Sequence, residues 1–275
     1  MTKRCIVWND NGNRYRKKNV IMDMQDGSDL GYADSHVGGQ LSKGVLTINN
    51  LKRIETMYSF VEIRNLYDIE ENSFGFSENE ITKCEESLSL QLPIVLREYY
   101  LQLGNHDFNY KQDKLLTPSE LCFVCEEYLL IYTENQGVSI WGIKKQDLKL
   151  DNPPVYICLE NNIPSNNNIW EYENTLYDFL IAVAYLQSRF VFSYSANSIY
   201  ISKKTEQFIR ENWKSTDIKT KIWGTEFFQN DLNEVLAILN AENQTDLFVS
   251  TKTEERLREI DEILEIEWEY YCLDK

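Results

Sequence analysis

Few residues of this chain have the types and spacing that catalysis requires, and the search begins with its two histidines. His36 lies in the segment 33–39, where two glycines would let the backbone approach a ligand closely. An ordinary loop residue is still the favoured interpretation of His36. His106 follows a predicted helix end and stands beside Asp107, so we expect it to face solvent. We assign a catalytic role to neither histidine.

The pair Cys122 and Cys125 has Cys-x-x-Cys spacing, which occurs in zinc sites and in redox centres. A structural zinc ion needs four ligands, and this pair stands alone in a chain with only two histidines. A redox motif would have a strand before it and a helix after it, whereas a loop is predicted before this pair. We therefore interpret both cysteines as packing residues and predict neither a metal nor another cofactor.

No nucleotide-binding, metalloprotease or serine-hydrolase motif occurs in the sequence. Paired carboxylates are frequent, but in a chain with 44 acidic residues no single pair is informative. We predict that the protein is not an enzyme.

The net charge of −16 is unevenly distributed along the chain. Residues 1–56 contain nine Lys or Arg and six acids, a net charge of +3, so residues 57–275 carry −19. A surface with this excess of negative charge repels nucleic acids and attracts basic proteins. We expect a basic protein partner and no nucleic-acid partner.

Aromatic side chains alternate with acids in two segments, Trp170–Glu173 and Trp268–Tyr271. A protein that binds nucleic acids would place Lys or Arg between its aromatic residues. Aromatic anchors within a charged rim are typical of protein interfaces. The pattern favours a protein-binding function.

The strongest structural pattern is a predicted pair of helices between Ser77 and Gly104. Ser77 and Glu80 have capping-box spacing, and the apolar residues that follow recur with helical periodicity. Pro93 suits the start of a second helix, and Gly104 is expected to end it in the left-handed conformation. The motif residues of this segment are Glu80, Ile81, Glu85, Leu88, Leu92, Pro93, Leu96, Arg97, Tyr99, Tyr100, Leu101, Gly104 and Asn105.

This motif resembles the signature of the SUKH superfamily, and three later segments resemble that family's later blocks in the same order. These are Thr133–Ile143, Asn152–Tyr156 and Trp170–Leu180. The resemblance covers about Tyr67–Arg189 well and the last third loosely. Most members of the superfamily are bacterial immunity proteins, and its fungal members are regulators of cell-wall synthesis. The resemblance therefore implies an immunity protein that neutralises a cognate toxin, with a regulatory or scaffold module as the alternative.

The remaining patterns predict an α+β fold with an antiparallel or mixed sheet and packed helices. A hairpin is predicted at Tyr128–Thr133 and Val138–Ile143, and a deeply packed helix at Thr175–Arg189. Residues 51–275 would form this SUKH-like domain. Residues 1–50 would form a small β-rich N-terminal extension of unknown role.

No signal peptide is predicted, because the N-terminal apolar run Cys5–Trp8 is too short to form its core. No membrane span is predicted either, because the longest apolar run, Phe179–Leu186, is too short to cross a bilayer. We therefore expect a cytoplasmic protein that does not contact membranes.

The predicted partner-binding residues lie on the first hairpin and its approach, because a hairpin tip is exposed and rigidly held. Trp141 would be either an anchor residue of the interface or part of the core, and the core is favoured. Acids of the C-terminal helix are the next candidates: Glu254, Glu255 and Glu259. The hairpin residues are Glu126, Glu127, Glu134, Asn135, Gln136 and Trp141.

Overall fold

The computed structural model describes residues 58–70, 74–159, 169–221, 224–240 and 244–273. The predicted N-terminal extension, residues 1–50, lies outside these ranges. The helices are α1 Val61–Leu66, α2 Glu78–Leu88, α3 Ile94–Gln102, α4 Leu176–Val191, α5 Lys203–Asn212 and α6 Glu254–Leu264. The strands are β1 Lys114–Leu115, β2 Cys122–Val124, β3 Tyr128–Thr133, β4 Ile140–Lys144, β5 Pro154–Cys158, β6 Trp170–Thr175, β7 Tyr194–Ser198, β8 Lys214–Lys219, β9 Thr225–Gln229, β10 Glu234–Asn240, β11 Thr245–Thr251 and β12 Tyr270–Cys272.

The strands form two six-stranded sheets, and every pairing between described strands is antiparallel. The first sheet has the order β1-β3-β4-β5-β6, with β2 paired to β3. The second has the order β12-β7-β11-β10-β9-β8. The predicted α+β class is confirmed, and its antiparallel alternative is the one observed.

Helix α4 lies between the two sheets and joins them into one layered body. Eleven of its sixteen residues are buried, which explains why the sequence shows almost no polar face in this helix. The helix packs on β5 and β6 of the first sheet and on β8, β10 and β11 of the second. Helices α5 and α6 cover the other face of the second sheet, where they contact β8, β7 and β11.

Strand β10 shows how the second sheet contributes to two cores. Val235 and Ala237 belong to the core around α4, whereas Leu236 and Ile238 belong to the core under α5 and α6. Successive side chains of a strand point to opposite faces. A continuous apolar strand is therefore required here, because both faces of the sheet are covered.

The predicted helix pair is present, with a difference at its end. The backbone N–H of Ser77 donates to Glu80 Oε2 at 2.8 Å, and the N–H of Glu80 donates to Ser77 Oγ at 3.3 Å, which confirms the capping box. Gly104 is not left-handed, so that prediction was wrong. A Cβ at Gly104 would lie 2.7 Å from Tyr100 Cα, and close packing is therefore the reason for glycine.

In the described part of the chain, no helix combines the length and the apolar character that crossing a membrane requires.

Candidate functional site

The predicted binding residues on the hairpin fall into two groups at opposite ends of β3. Glu126 and Glu127 lie in the turn before this strand, and Glu134–Gln136 form the turn after it. At about 3.3 Å per residue, the six residues of β3 separate the two groups by about 20 Å. The hairpin therefore does not bring its predicted acids together into one site.

The turn that contains Glu126 and Glu127 has an unusual backbone. Cys125 and Glu126 have φ values of 52° and 57°, and the N–H of Glu127 donates to the carbonyl of Val124 at 3.2 Å. Two successive positive φ values define a type I′ turn, which usually contains Asn or Gly. Non-glycine residues in this conformation cost free energy, so tertiary contacts must hold the turn.

One acid of this turn, Glu127, forms an ion pair with a neighbouring lysine. Lys144 Nζ lies 3.2 Å from Glu127 Oε1, and the N–H of Lys145 donates to the carbonyl of Glu127 at 2.7 Å. A shallow surface depression of about 320 Å³ is lined by Glu126, Glu127, Lys144, Lys145 and Gln146. Equal numbers of carboxylates and ammonium groups leave little net charge to attract a basic partner.

At the other end of β3, Glu134 organises the hairpin tip. Its Oε2 accepts hydrogen bonds from the backbone N–H groups of Gln136 and Val138, at 2.9 and 3.2 Å. The N–H of Asn135 donates to Asp113 Oδ1 at 3.2 Å. The Glu134 carboxylate therefore holds the tip conformation, and Asn135 and Gln136 are the exposed side chains.

Trp141 is a core residue and is excluded from any surface contact, which corrects its inclusion among the binding residues. Its side chain is 1% exposed. The indole packs against the rings of Tyr132 and Phe179, with centroids 5.3 and 6.1 Å apart. Alternation along β4 directs Trp141 towards α4, because Ile140 and Gly142 occupy the opposite face.

That opposite face carries aromatic residues outside the predicted set of partner-binding residues. Trp170 stacks on Tyr128 with centroids 4.0 Å apart, and a Cβ at Gly142 would lie 3.4 Å from Trp170. Tyr172 is 40% exposed, and Lys221 Nζ lies 4.2 Å from its ring centroid. The alternation of aromatic and acidic residues in Trp170–Glu173 is the sequence signal for this face.

His106 is a structural residue in a half-buried aromatic environment. Its ring lies 4.4 Å from that of Phe74 and 4.7 Å from that of Phe108, measured between centroids. Nδ1 accepts a hydrogen bond from the backbone N–H of Phe108 at 3.2 Å and so caps the short 3-10 helix Asp107–Tyr110. The expectation that His106 faces solvent was wrong, because the ring is needed to cap and pack this turn.

Burial lowers the pKa of His106, although the carboxylate of Asp107 opposes the shift. Because the pKa of His106 is lowered in the folded state, the neutral ring contributes its full stabilisation of the fold above the pKa of the unfolded chain, about 6.5. It is lost as the pH falls through the folded pKa. We expect the unfolding free energy of the wild type to decrease relative to that of His106→Asn between pH 7.5 and pH 5. Urea unfolding of both proteins at each pH measures this, and a pH-independent difference would contradict it.

The other sequence candidates for chemistry are the Cys-x-x-Cys pair and His36. Cys122 lies in β2 and Cys125 in the following turn, so no helix N-terminus adjoins the pair. Across the described ranges, no group of three or more His, Cys, Asp or Glu side chains could hold a metal ion. His36 lies outside these ranges.

The acids of α6 are partly neutralised within their own helix. Arg258 Nη2 lies 2.6 Å from Glu254, and Arg256 Nη1 lies 2.8 Å from Glu259. Glu255 is exposed. Residues 261–270, from the last turn of α6 into β12, contain five acids and no Lys or Arg. Among the described residues, the exposed acids Glu262, Glu265 and Glu267 have no ion pair with Lys or Arg, so acidic charge is concentrated after Arg258.

Comparison of the chain with family models, with curated proteins and with solved structures finds no match.

Proposed function

We propose that the protein is an immunity protein that binds a cognate bacterial toxin and neutralises it by covering the toxin's active site. The observation that carries this proposal is the net charge of −19 on residues 57–275. The resemblance of the segment Ser77–Gly104 and of three later segments to the SUKH superfamily supports the same function.

A basic nuclease is the toxin that best fits this charge. A nuclease presents Lys and Arg to the phosphates of its substrate. An acidic inhibitor places carboxylates where those phosphates would lie, and opposite charge accelerates the encounter of the two proteins. The inhibitor would act stoichiometrically in the cytoplasm and would have no catalytic activity of its own.

The protein encoded beside this gene is the partner to test, because immunity genes lie next to their toxin genes. We expect the two purified proteins to form a complex in which nuclease activity is lost. Association should be fast at low salt and at least about tenfold slower at 0.5 M salt, because salt screens the attraction between exposed charges. Stopped-flow measurements and a nuclease assay provide both results.

Absence of inhibition in a stable complex would contradict the immunity function and favour the regulatory or scaffold module. A salt-independent association rate would contradict the electrostatic mechanism. The control is a homologous toxin that has a different immunity partner. Its nuclease activity should not be inhibited by this protein, which would exclude general inhibition by acidic proteins.

A further inference from the structure

We infer that the partner docks on a surface formed by the end of β7 and the segment between α6 and β12, and that this surface selects a basic protein. We call it the C-terminal surface. The inference rests on the proposed function and specifies where on this protein the toxin would bind. The surface consists of Ile199, Tyr200, Glu262, Glu265, Glu267, Glu269 and Tyr270.

Three large apolar side chains are exposed close together on this surface. Ile199, Tyr200 and Tyr270 are 52%, 67% and 47% exposed. Two contacts bring them together: the N–H of Ile199 donates to Glu269 Oε2 at 2.7 Å, and the N–H of Glu269 donates to the carbonyl of Asn197 at 3.0 Å. Exposed apolar side chains that cluster in this way mark interaction sites.

The aromatic surface continues across the second sheet towards α4. Tyr270 is paired across the strands with Asn197, and Asn197 is paired with Phe248. The guanidinium carbon of Arg189 lies 4.6 Å from the ring centroid of Phe248 and 5.0 Å from that of Phe190, which is 38% exposed. Directly paired residues share one face of the sheet, so this face runs from the edge strand β12 to the end of α4.

Acidic residues precede β12 in the chain, and one of them, Glu269, contacts Ile199. Glu265 ends α6 with a φ of 49°, and the chain then extends to β12. Ile266 and Trp268 pack on the core under α5 and α6, whereas Glu267 and Glu269 are exposed. Glu262, Glu265 and Glu267 are exposed, and no ion pair joins them to any Lys or Arg within the described residues.

The negative charge of the C-terminal surface favours a basic partner over a second copy of this chain. Two copies of the chain placed edge to edge at β12 would bring like-charged rows together, which is destabilising. A basic partner would gain both attraction from the acids and burial of Tyr200 and Tyr270. In such an interface the aromatic anchors at the centre contribute most of the affinity, and the charged rim increases the association rate.

The test uses the full-length protein and the purified product of the adjacent gene. The triple variant Glu262→Lys, Glu265→Lys, Glu267→Lys should reduce the association rate at least about tenfold. The matched control is Glu70→Lys, Glu86→Lys, Glu171→Lys, whose exposed acids lie elsewhere. Both triples change the net charge from −16 to −10, so only position distinguishes them.

The apolar part of the surface is tested separately. Tyr200→Ala with Tyr270→Ala should raise the dissociation rate about tenfold or more, since lost anchors act mainly on dissociation. Tyr172→Ala, at an aromatic residue exposed on the first sheet, is the control. Thermal unfolding of each variant verifies that the fold is retained.

The possible outcomes distinguish failure of the proposed binding site from failure of the proposed function. A complex that is weakened by the C-terminal variants and not by the controls supports the inference. A wild-type complex that both triples weaken equally, or that neither weakens, overturns the site and leaves the proposed function standing. Failure of the wild-type protein to bind the adjacent gene product overturns the proposed function, and the inference with it.

Discussion

Replacing Arg256 with methionine is expected to lower the free energy of unfolding by about 3–5 kcal/mol, as removal of one partner of a buried ion pair does. Glu234 is 0% exposed. Its carboxylate accepts hydrogen bonds from Arg256 Nε at 2.5 Å, from Trp213 Nε1 at 2.9 Å and from the N–H of Asn230 at 2.9 Å. Methionine would leave this carboxylate buried with two neutral donors and no counter-charge.

The double variant Arg256→Met, Glu234→Gln should recover much of the lost stability, because the buried charge is removed and an acceptor for Trp213 remains. Arg258→Met is the matched control, since Arg258 is exposed and pairs with the partly exposed Glu254. Its effect should stay within about 0.5 kcal/mol. Urea unfolding followed by circular dichroism measures all three. A loss below about 1 kcal/mol for Arg256→Met would show that the network does not stabilise the second sheet.

Replacing Gly75 with alanine is expected to destabilise the protein by about 3 kcal/mol or more, above the usual range for overpacking. A Cβ at this position would lie 1.7 Å from the carbonyl oxygen of Leu101. The backbone on either side is held in place: the N–H of Phe76 donates to the carbonyl of Tyr100, and the N–H of Asn105 donates to the carbonyl of Phe74, both at 2.8 Å. The added methyl group can be accommodated only if these bonds break.

Thr82→Ala, at an exposed site on α2, should change stability by no more than about 0.5 kcal/mol and is the control for this experiment. Thermal and urea unfolding give the two free energies. A Gly75→Ala protein as stable as the wild type would mean that the segment before α2 shifts away from α3 without cost.

Elements with strong local signals were predicted well. The capping box at Ser77 is such a signal, because both of its hydrogen bonds join residues three positions apart. The first hairpin is another: β3 matches its predicted bounds, and Gly137 has the positive φ expected at a hairpin tip. In these cases the forces that form the element act between neighbours in the chain.

Elements with weak local signals were missed. Helix α5 has a single buried residue, Ile209, so its sequence shows little apolar periodicity. Strand β8 is mostly exposed at the edge of the second sheet. Thr251 and Glu254 have capping-box spacing, but Thr253 Oγ1 accepts the N–H of Arg256 and caps α6, because Thr251 is the last residue of β11. Here the neighbouring strands and cores decide the conformation.

The sequence alone determined the α+β class, the helices α2, α3 and α4, the first hairpin and the excess of acidic charge, since these depend on periodicity, capping and composition. Only the tertiary structure decided which side of a strand is covered and which charges have partners. It placed Trp141 in the core, separated Glu126 and Glu127 from the hairpin tip, and set Lys144 beside Glu127. Those outcomes depend on contacts between residues distant in the chain, and a binding surface consists of the side chains that such contacts leave exposed and uncompensated.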